Sequence, residues 1–500
     1  MAKFNREKVL RKIELKKMWR SYSRYVYIVI PCVLCSLLCL YFAYSKFFVS
    51  KEQEVIRTTV APFIQGDVVI GAYIDNEYSS TIPAKGTGYV VDKVVCDNDA
   101  VGKWDDDKWG LLTTNLTKRT KCNVYFKKAV SKVPDIIAQL DTTGKCPTVN
   151  ADGTVSVTEA EKQYGYLCKA KDAYGDSYYY RGNVTNNYVK FGEWQVRKYF
   201  GYFSDNQYIY HMYDSLEECQ NASSYNKRCA VGFDIGTPMY WRIVRINGDG
   251  TVRVIYDGTS AHANYGGSDK QIGASVFNSI GNDNAYVGYM YGKIGASTYA
   301  EAHANTNDST IKAYIDNWYK TNILGTANEQ YLADNIFCND RSISSGKPYD
   351  SYNNLGYGTN FTAYRWYYGP WSSGGYNSNM RLTCPQKNDA FTVSDTTNGN
   401  GALVYPVGLL STDEIVLAGL WNDANRVYYL NSGQYWWTSS SYIFDGGILA
   451  GVRYMDSVGT GDTSIGVDGN FEVRPVFNLK AEVLAQGSGT ASDPYRISSD

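Results

Sequence analysis

Residues 25 to 44, YVYIVIPCVLCSLLCLYFAY, form an uncharged, strongly apolar run of twenty residues. A chain that enters a bilayer must satisfy every backbone polar group internally, so such a run is restricted to a helix there. At ~1.5 Å per residue it reaches roughly 30 Å, the hydrocarbon thickness. Tyr25, Tyr27, Tyr41 and Tyr44 stand at its ends as interfacial aromatics. The 24 residues before it carry nine Lys or Arg against Glu7 and Glu14. The positive-inside rule would keep that end cytoplasmic. The expectation is a single transmembrane helix, with a single-pass cell-membrane location and an extracellular C-terminal region. A cleavable signal peptide is the competing reading, since Ala43-Tyr44-Ser45 loosely matches a small-x-small cleavage site.

An extracellular setting gives the cysteines their meaning. Cys32, Cys35 and Cys39 lie in the apolar run and read as small packing residues. The other eight are Cys96, Cys122, Cys146, Cys168, Cys219, Cys229, Cys338 and Cys384, an even set that reads as disulfides. Eight cysteines admit many connectivities. The most economical pairs sequence neighbours: 96 with 122, 146 with 168, 219 with 229, and 338 with 384.

The formal charge of −1 hides an asymmetry: beyond Lys51 there are 38 basic and 48 acidic residues. That balance argues against nucleic acid as a partner. Tyrosine is unusually frequent, 46 of 500 residues, among many Asn, Ser, Asp and Gly. Rigid amphipathic rings mixed with small polar residues suit adaptable recognition surfaces, although half-buried strand positions also favour Tyr.

The pattern divides the chain into a cytoplasmic basic segment (1–24), the anchor (25–44), a polar linker (45–64), a small all-β module (65–130), a disulfide-tied connector (131–230), a larger domain (231–480) and a tail (481–500). In the module, short β-branched and aromatic runs alternate with turn clusters. In the larger domain, YWRIVRI-NGDG-TVRVIYDG predicts a hairpin. Ile311, Tyr314, Ile315 and Trp318 recur at helical spacing, and Ser411 with Glu414 forms a capping box ahead of a second helix. Late strands follow, so the domain is expected to be α+β.

Several of these residues carry a resemblance. Trp241-Arg242, the helix around Trp318, Ser411 to Gly419, Trp436-Trp437-Thr438-Ser439-Ser440, and Val473-Arg474-Pro475 through Leu479 resemble the signature of bacterial cell-surface proteins with a C-terminal domain of unknown function. More remotely, the pattern is similar to the C-type-lectin-like fold of formylglycine-generating enzymes and retroelement variable proteins. That resemblance implies a ligand face on residues 442 to 467, with Tyr442, Phe444, Asp445, Arg453, Asp456 and Asp462 as contacts. It implies framing roles for Trp436, Trp437, Arg474 and Pro475. The reactive late cysteine pair of the formylglycine-generating enzymes has no counterpart after Cys384.

Catalytic patterns are sparse. The histidines are His211, His262 and His303, and the sequence contains no H-E-x-x-H, G-x-S-x-G, phosphate-loop or dinucleotide fingerprint. Thr148 to Glu159 approaches a calcium-loop pattern, but Thr148 replaces the leading acid and DGTVSV reads as a turn into a strand. The expectation is a non-catalytic recognition or adhesion protein for a glycan or protein ligand, without metal or cofactor. An extracellular carbohydrate-active or modifying enzyme and an architectural envelope protein are the alternatives.

Overall fold

The computed structural model describes residues 11–20 and, from 68 to 497, all residues except 85–88, 106–108, 117, 129, 161, 203–209, 222–227, 263–265, 268, 345–352, 369–378, 422–424, 448 and 459–460. Two separate hydrophobic cores organise it.

The smaller core belongs to the module. Its mixed sheet has the order β2-β1-β6-β3, from β1 (Val68–Ile74), β2 (Glu77–Ser79), β3 (Tyr89–Cys96) and β6 (Thr120–Lys128). β4 (Val101–Asp105) and β5 (Gly110–Thr114) form a hairpin. Along β6, Cys122, Val124 and Phe126 are buried while Lys121 and Lys127 are exposed, the period-two signature of a sheet with one wet face. Trp104 and Leu111 from the hairpin join the buried side, with the Trp104 ring edge-on to Phe126 at 5.3 Å. Cys96–Cys122 ties β3 to β6.

The larger core runs from Val133 to Ile497. Its main sheet has the order 407–408, 476–479, 252–258, 238–246, 175–182 and 165–172, with strand Tyr188–Glu193 also pairing Pro238–Ile246. The segment 131–230 is therefore part of this body through strands 165–172, 175–182 and 188–193, which join the sheet, while 198–202, 210–213 and 228–233 form a three-stranded sheet of their own. Residues of the 481–500 tail close the core through Val483, Leu484, Tyr495 and Ile497. A second sheet has the order 274–276, 470–472, 436–444, 450–455 and 461–466. The predicted hairpin forms as Pro238–Ile246 and Val252–Gly258. The predicted helices form as Thr310–Asn322, capped by Ser309, and Thr412–Ala418, with the Ser411/Glu414 capping box present.

The two faces of the main sheet differ. One is aromatic: Trp241 lies 4.8 Å from Phe477 and 5.5 Å from Tyr256, and Trp318 packs 5.8 Å from Phe477. The other is ionic. Cross-strand pairing places Tyr179 beside Arg245, Arg245 beside Arg253 and Arg253 beside Asn478. Two buried guanidiniums on neighbouring strands repel, so the row requires counter-ions. Glu414 Oε1 supplies one, 3.2 Å from Arg245 Nε and 2.9 Å from Arg253 Nη1, and Asp172 Oδ2 lies 2.7 Å from Arg245 Nη1. Burial pushes the Glu414 carboxyl up, but the Arg253 and Arg245 charges outweigh it and hold the group below its ordinary range. Arg474 of the V-R-P element is likewise internal, with Nη2 3.1 Å from Asp257 Oδ1 and Nη1 donating to the Leu430 carbonyl at 2.7 Å.

All four disulfides join sequence neighbours: Cys96–Cys122, Cys146–Cys168, Cys219–Cys229 and Cys338–Cys384. Two expectations are corrected. The fold is mainly β rather than α+β with a C-type-lectin-like domain, strand accounting for 37% against 16% helix. The predicted helices exist, with 13 and 7 residues, but the two large sheets organise the larger body. The expected N-terminal transmembrane helix and single-pass location are also not supported: among the described residues no helix is long and apolar enough to cross a membrane. Residues 25–44 and the 45–64 linker lie outside the described residues. The disulfides point to an oxidising, extracellular or secreted setting.

Candidate functional site

The residues expected to form a ligand face are largely internal. Phe444 is fully buried, Arg453 is 1% exposed and Tyr442 8%. The Arg453 guanidinium lies 4.4 Å from the Tyr442 ring centre, and its Nη2 donates to the Trp366 carbonyl at 2.8 Å. Asp445 is exposed, and its Oδ1 accepts from the Gly447 and Leu449 amides in a turn. Asp456 is 8% exposed and its Oδ1 accepts from the Val458 amide. Asp462 stands in strand Gly461–Gly466, opposite Tyr454. Tyr442, Phe444 and Arg453 thus do not form an open face. Strand Trp436–Phe444 is buried along its whole length, so it leaves no alternate row for solvent.

The histidines described in side-chain detail hold structure. His262 Nε2 lies 2.6 Å from Asp269 Oδ1, while Asp269 Oδ2 accepts from the Thr259 amide and hydroxyl at 2.8 Å each. The His303 ring lies 3.7 Å from the Tyr299 ring, tilted by 39°, and burial, followed by Arg341, pushes its imidazole down to about 2. The calcium-like segment is a hairpin: Thr148 pairs Ser156 and Val149 pairs Val155. Asp152 Oδ1 in its turn accepts from the Thr154 amide and hydroxyl.

A cleft lies instead where the 131–190 region folds back on itself. Helix Val133–Ile137 begins with proline in its first turn, where the missing N–H costs nothing, and leads to Leu140, which bridges to Leu167. The next turn is built on Asp141. Its carboxylate accepts from the Thr143 hydroxyl at 2.6 Å and from the amides of Thr143, Lys145 and Cys146 at 3.0, 2.8 and 3.2 Å. The Thr143 hydroxyl, with those amides, holds the Asp141 carboxyl below its ordinary range despite the opposing effect of burial. Cys146–Cys168 fastens the turn to strand Gly165–Asp172. That strand supplies Tyr166 and Leu167, and its partner supplies Tyr180 opposite Leu167. Asn186 closes the rim, its Nδ2 donating to Gln139 Oε1 at 3.1 Å.

The cleft holds about 260 Å³ and is lined by Gln139, Leu140, Asp141, Thr142, Thr143, Gly165, Tyr166, Leu167, Tyr180 and Asn186. Small-molecule sites typically occupy ~300–1,000 Å³, so this one fits a ligand of about one sugar ring. Its lining has amide and hydroxyl groups, tyrosine rings and no Lys or Arg, and its one carboxylate, Asp141, already accepts from four donors of its own turn. No family model, curated protein or solved structure matches the chain. The cleft residues carry no motif in the sequence. The nearest signal is the Cys146–Cys168 spacing, which marks where the loop is pinned.

Proposed function

We propose that this chain is an extracellular or secreted recognition protein that binds a glycan without transforming it, through the cleft between the Asp141 turn and strand Gly165–Asp172. The observation that carries this reading is a lining of amides, hydroxyls and tyrosine rings that holds no cation. Gln139, Thr142 and Asn186 offer donors and acceptors to hydroxyl groups, and the half-buried Tyr166 ring offers an apolar wall. An anionic ligand would find no opposite charge there, and the oxygens of Asp141 are engaged by its own turn, whereas a polyol satisfies the donors and acceptors that remain. The disulfide-pinned turn keeps the site preorganised, which lowers the ordering cost of binding.

The test is a glycan array with the full chain produced under oxidising conditions, followed by calorimetry on any hit. Saturable binding that is lost in Tyr166→Ala and in Asn186→Ala, with unfolding temperatures unchanged, supports the reading. Turnover of the saccharide, or binding indifferent to both substitutions, refutes it.

A further inference from the structure

The outer face of the module carries a separate surface. Register pairing places Tyr78 opposite Tyr73, Tyr73 opposite Tyr125, and Tyr125 opposite Lys93. Four side chains from β2, β1, β6 and β3 therefore form one row at right angles to the strands. The Tyr73 and Tyr125 rings stack at 4.8 Å, Tyr78 meets Tyr73 edge-on at 5.8 Å, and Lys93 Nζ sits 4.7 Å from the Tyr125 ring centre. At ~4.8 Å between strands, three strand spacings give the row a length of roughly 14 Å. Alternation puts this row on the opposite side of β6 from Cys122, Val124 and Phe126, which fill the module core. The face is open: Tyr78 is 70% exposed, Val95 48% and Val69 40%.

Lysines outnumber carboxylates among the residues placed on this face. Lys121 and Lys127 project from the same side of β6 as Tyr125, and Asp92 offsets Lys127 at 2.5 Å. Lys93 rests on an aromatic ring. Stacked rings with hydroxyl tips, flanked by lysines on a flat sheet, are complementary to a chain that is both anionic and rich in hydroxyl groups. A flat surface made only of side chains offers no groove for the alternating side chains of a bound peptide strand.

We propose that this face docks an anionic polysaccharide, one bearing carboxylates, laid along the row from Tyr78 to Lys93. It rests on residues and a core distinct from those of the cleft, so either site can fail without the other. The two together would let one chain hold a neutral sugar and an acidic polymer at once.

The experiment is retention of the full chain on immobilised polygalacturonate, with dextran and polyglutamate columns in parallel and a salt gradient for elution. The expected result is salt-sensitive retention on polygalacturonate alone, weakened about three- to tenfold in Tyr78→Ala and in Lys93→Gln. Tyr78 is exposed, so its truncation leaves the module core intact, and near-ultraviolet circular dichroism checks this. Equal retention on polyglutamate would assign the face to acidic proteins and overturn the proposal. So would unchanged retention in both variants, failure of the folded parent to bind polygalacturonate, or self-association that Tyr78→Ala abolishes.

Discussion

Arg365 grips Asp413 with both of its terminal nitrogens, Nη1 to Oδ2 and Nη2 to Oδ1 at 2.7 Å each, inside the larger body. Asp413 also accepts from Trp366 Nε1 at 3.0 Å and from the Arg381 amide at 2.8 Å. One carboxylate in the first turn of helix Thr412–Ala418 thus fixes the segments that carry Arg365, Trp366 and Arg381. Removing it leaves a buried guanidinium without its main counter-ion. Asp413→Asn is expected to cost about 3–5 kcal/mol, read from urea unfolding with the disulfides intact.

Glu414, one residue on, has a double duty. Its Oε2 accepts from the Ser411 amide at 3.0 Å to complete the helix cap, while its Oε1 faces Arg245 and Arg253. A cap alone is worth ~1 kcal/mol. Glu414→Gln retains an acceptor for the cap but removes the charge between the two arginines. The expected loss is therefore well above that of a cap, about 3 kcal/mol or more. In an Arg253→Met background the same change should cost less, and a double-mutant cycle measures the difference.

Cys338–Cys384 closes a loop with a sequence separation of 46. Releasing such a loop into the unfolded ensemble lowers stability by about 4 kcal/mol in the chain-entropy account. Replacing both cysteines with serine is expected to lower the unfolding temperature. The segment from Cys338 to Asp389 should become the first to exchange amide hydrogens.

Glu472 gives a pH signature. Burial pushes its carboxyl up to about 8 from an ordinary 4.5. The folded chain therefore keeps a proton that the unfolded chain releases above about 4.5. Stability contributed by this group falls as pH rises from about 4.5 to about 8 and is level above that. Thermal unfolding of the parent and of Glu472→Gln, which mimics the protonated acid and does not titrate, should show the parent falling progressively below the variant as pH rises from about 4.5 to about 8. A constant difference would count against a buried proton at Glu472.

The neighbour pairing of the cysteines, the Pro238–Gly258 hairpin, the helix around Trp318 and the Ser411/Glu414 cap were legible in the chain because each is a local relation. Cysteine spacing, a turn between two apolar runs, a 3.6-residue repeat and a four-residue cap all lie within short windows. Tertiary structure decided what those windows face. Tyr442, Phe444 and Arg453 looked available to a ligand, yet strand Trp436–Phe444, which carries the first two, is buried along its length, and Arg453 is buried with its guanidinium bonded to the Trp366 carbonyl. Segment 131–230 looked like a disulfide-tied connector, yet its strands 165–172, 175–182 and 188–193 join the main sheet. Glu414 announced a cap, but its role between Arg245 and Arg253 required a helix and two strands from distant parts of the chain to meet. The Tyr78–Tyr73–Tyr125–Lys93 row likewise exists only through strand register. Composition and local pattern determine which elements form. Burial and cross-strand pairing depend on contacts between residues far apart in sequence, and these settle which side chains reach solvent.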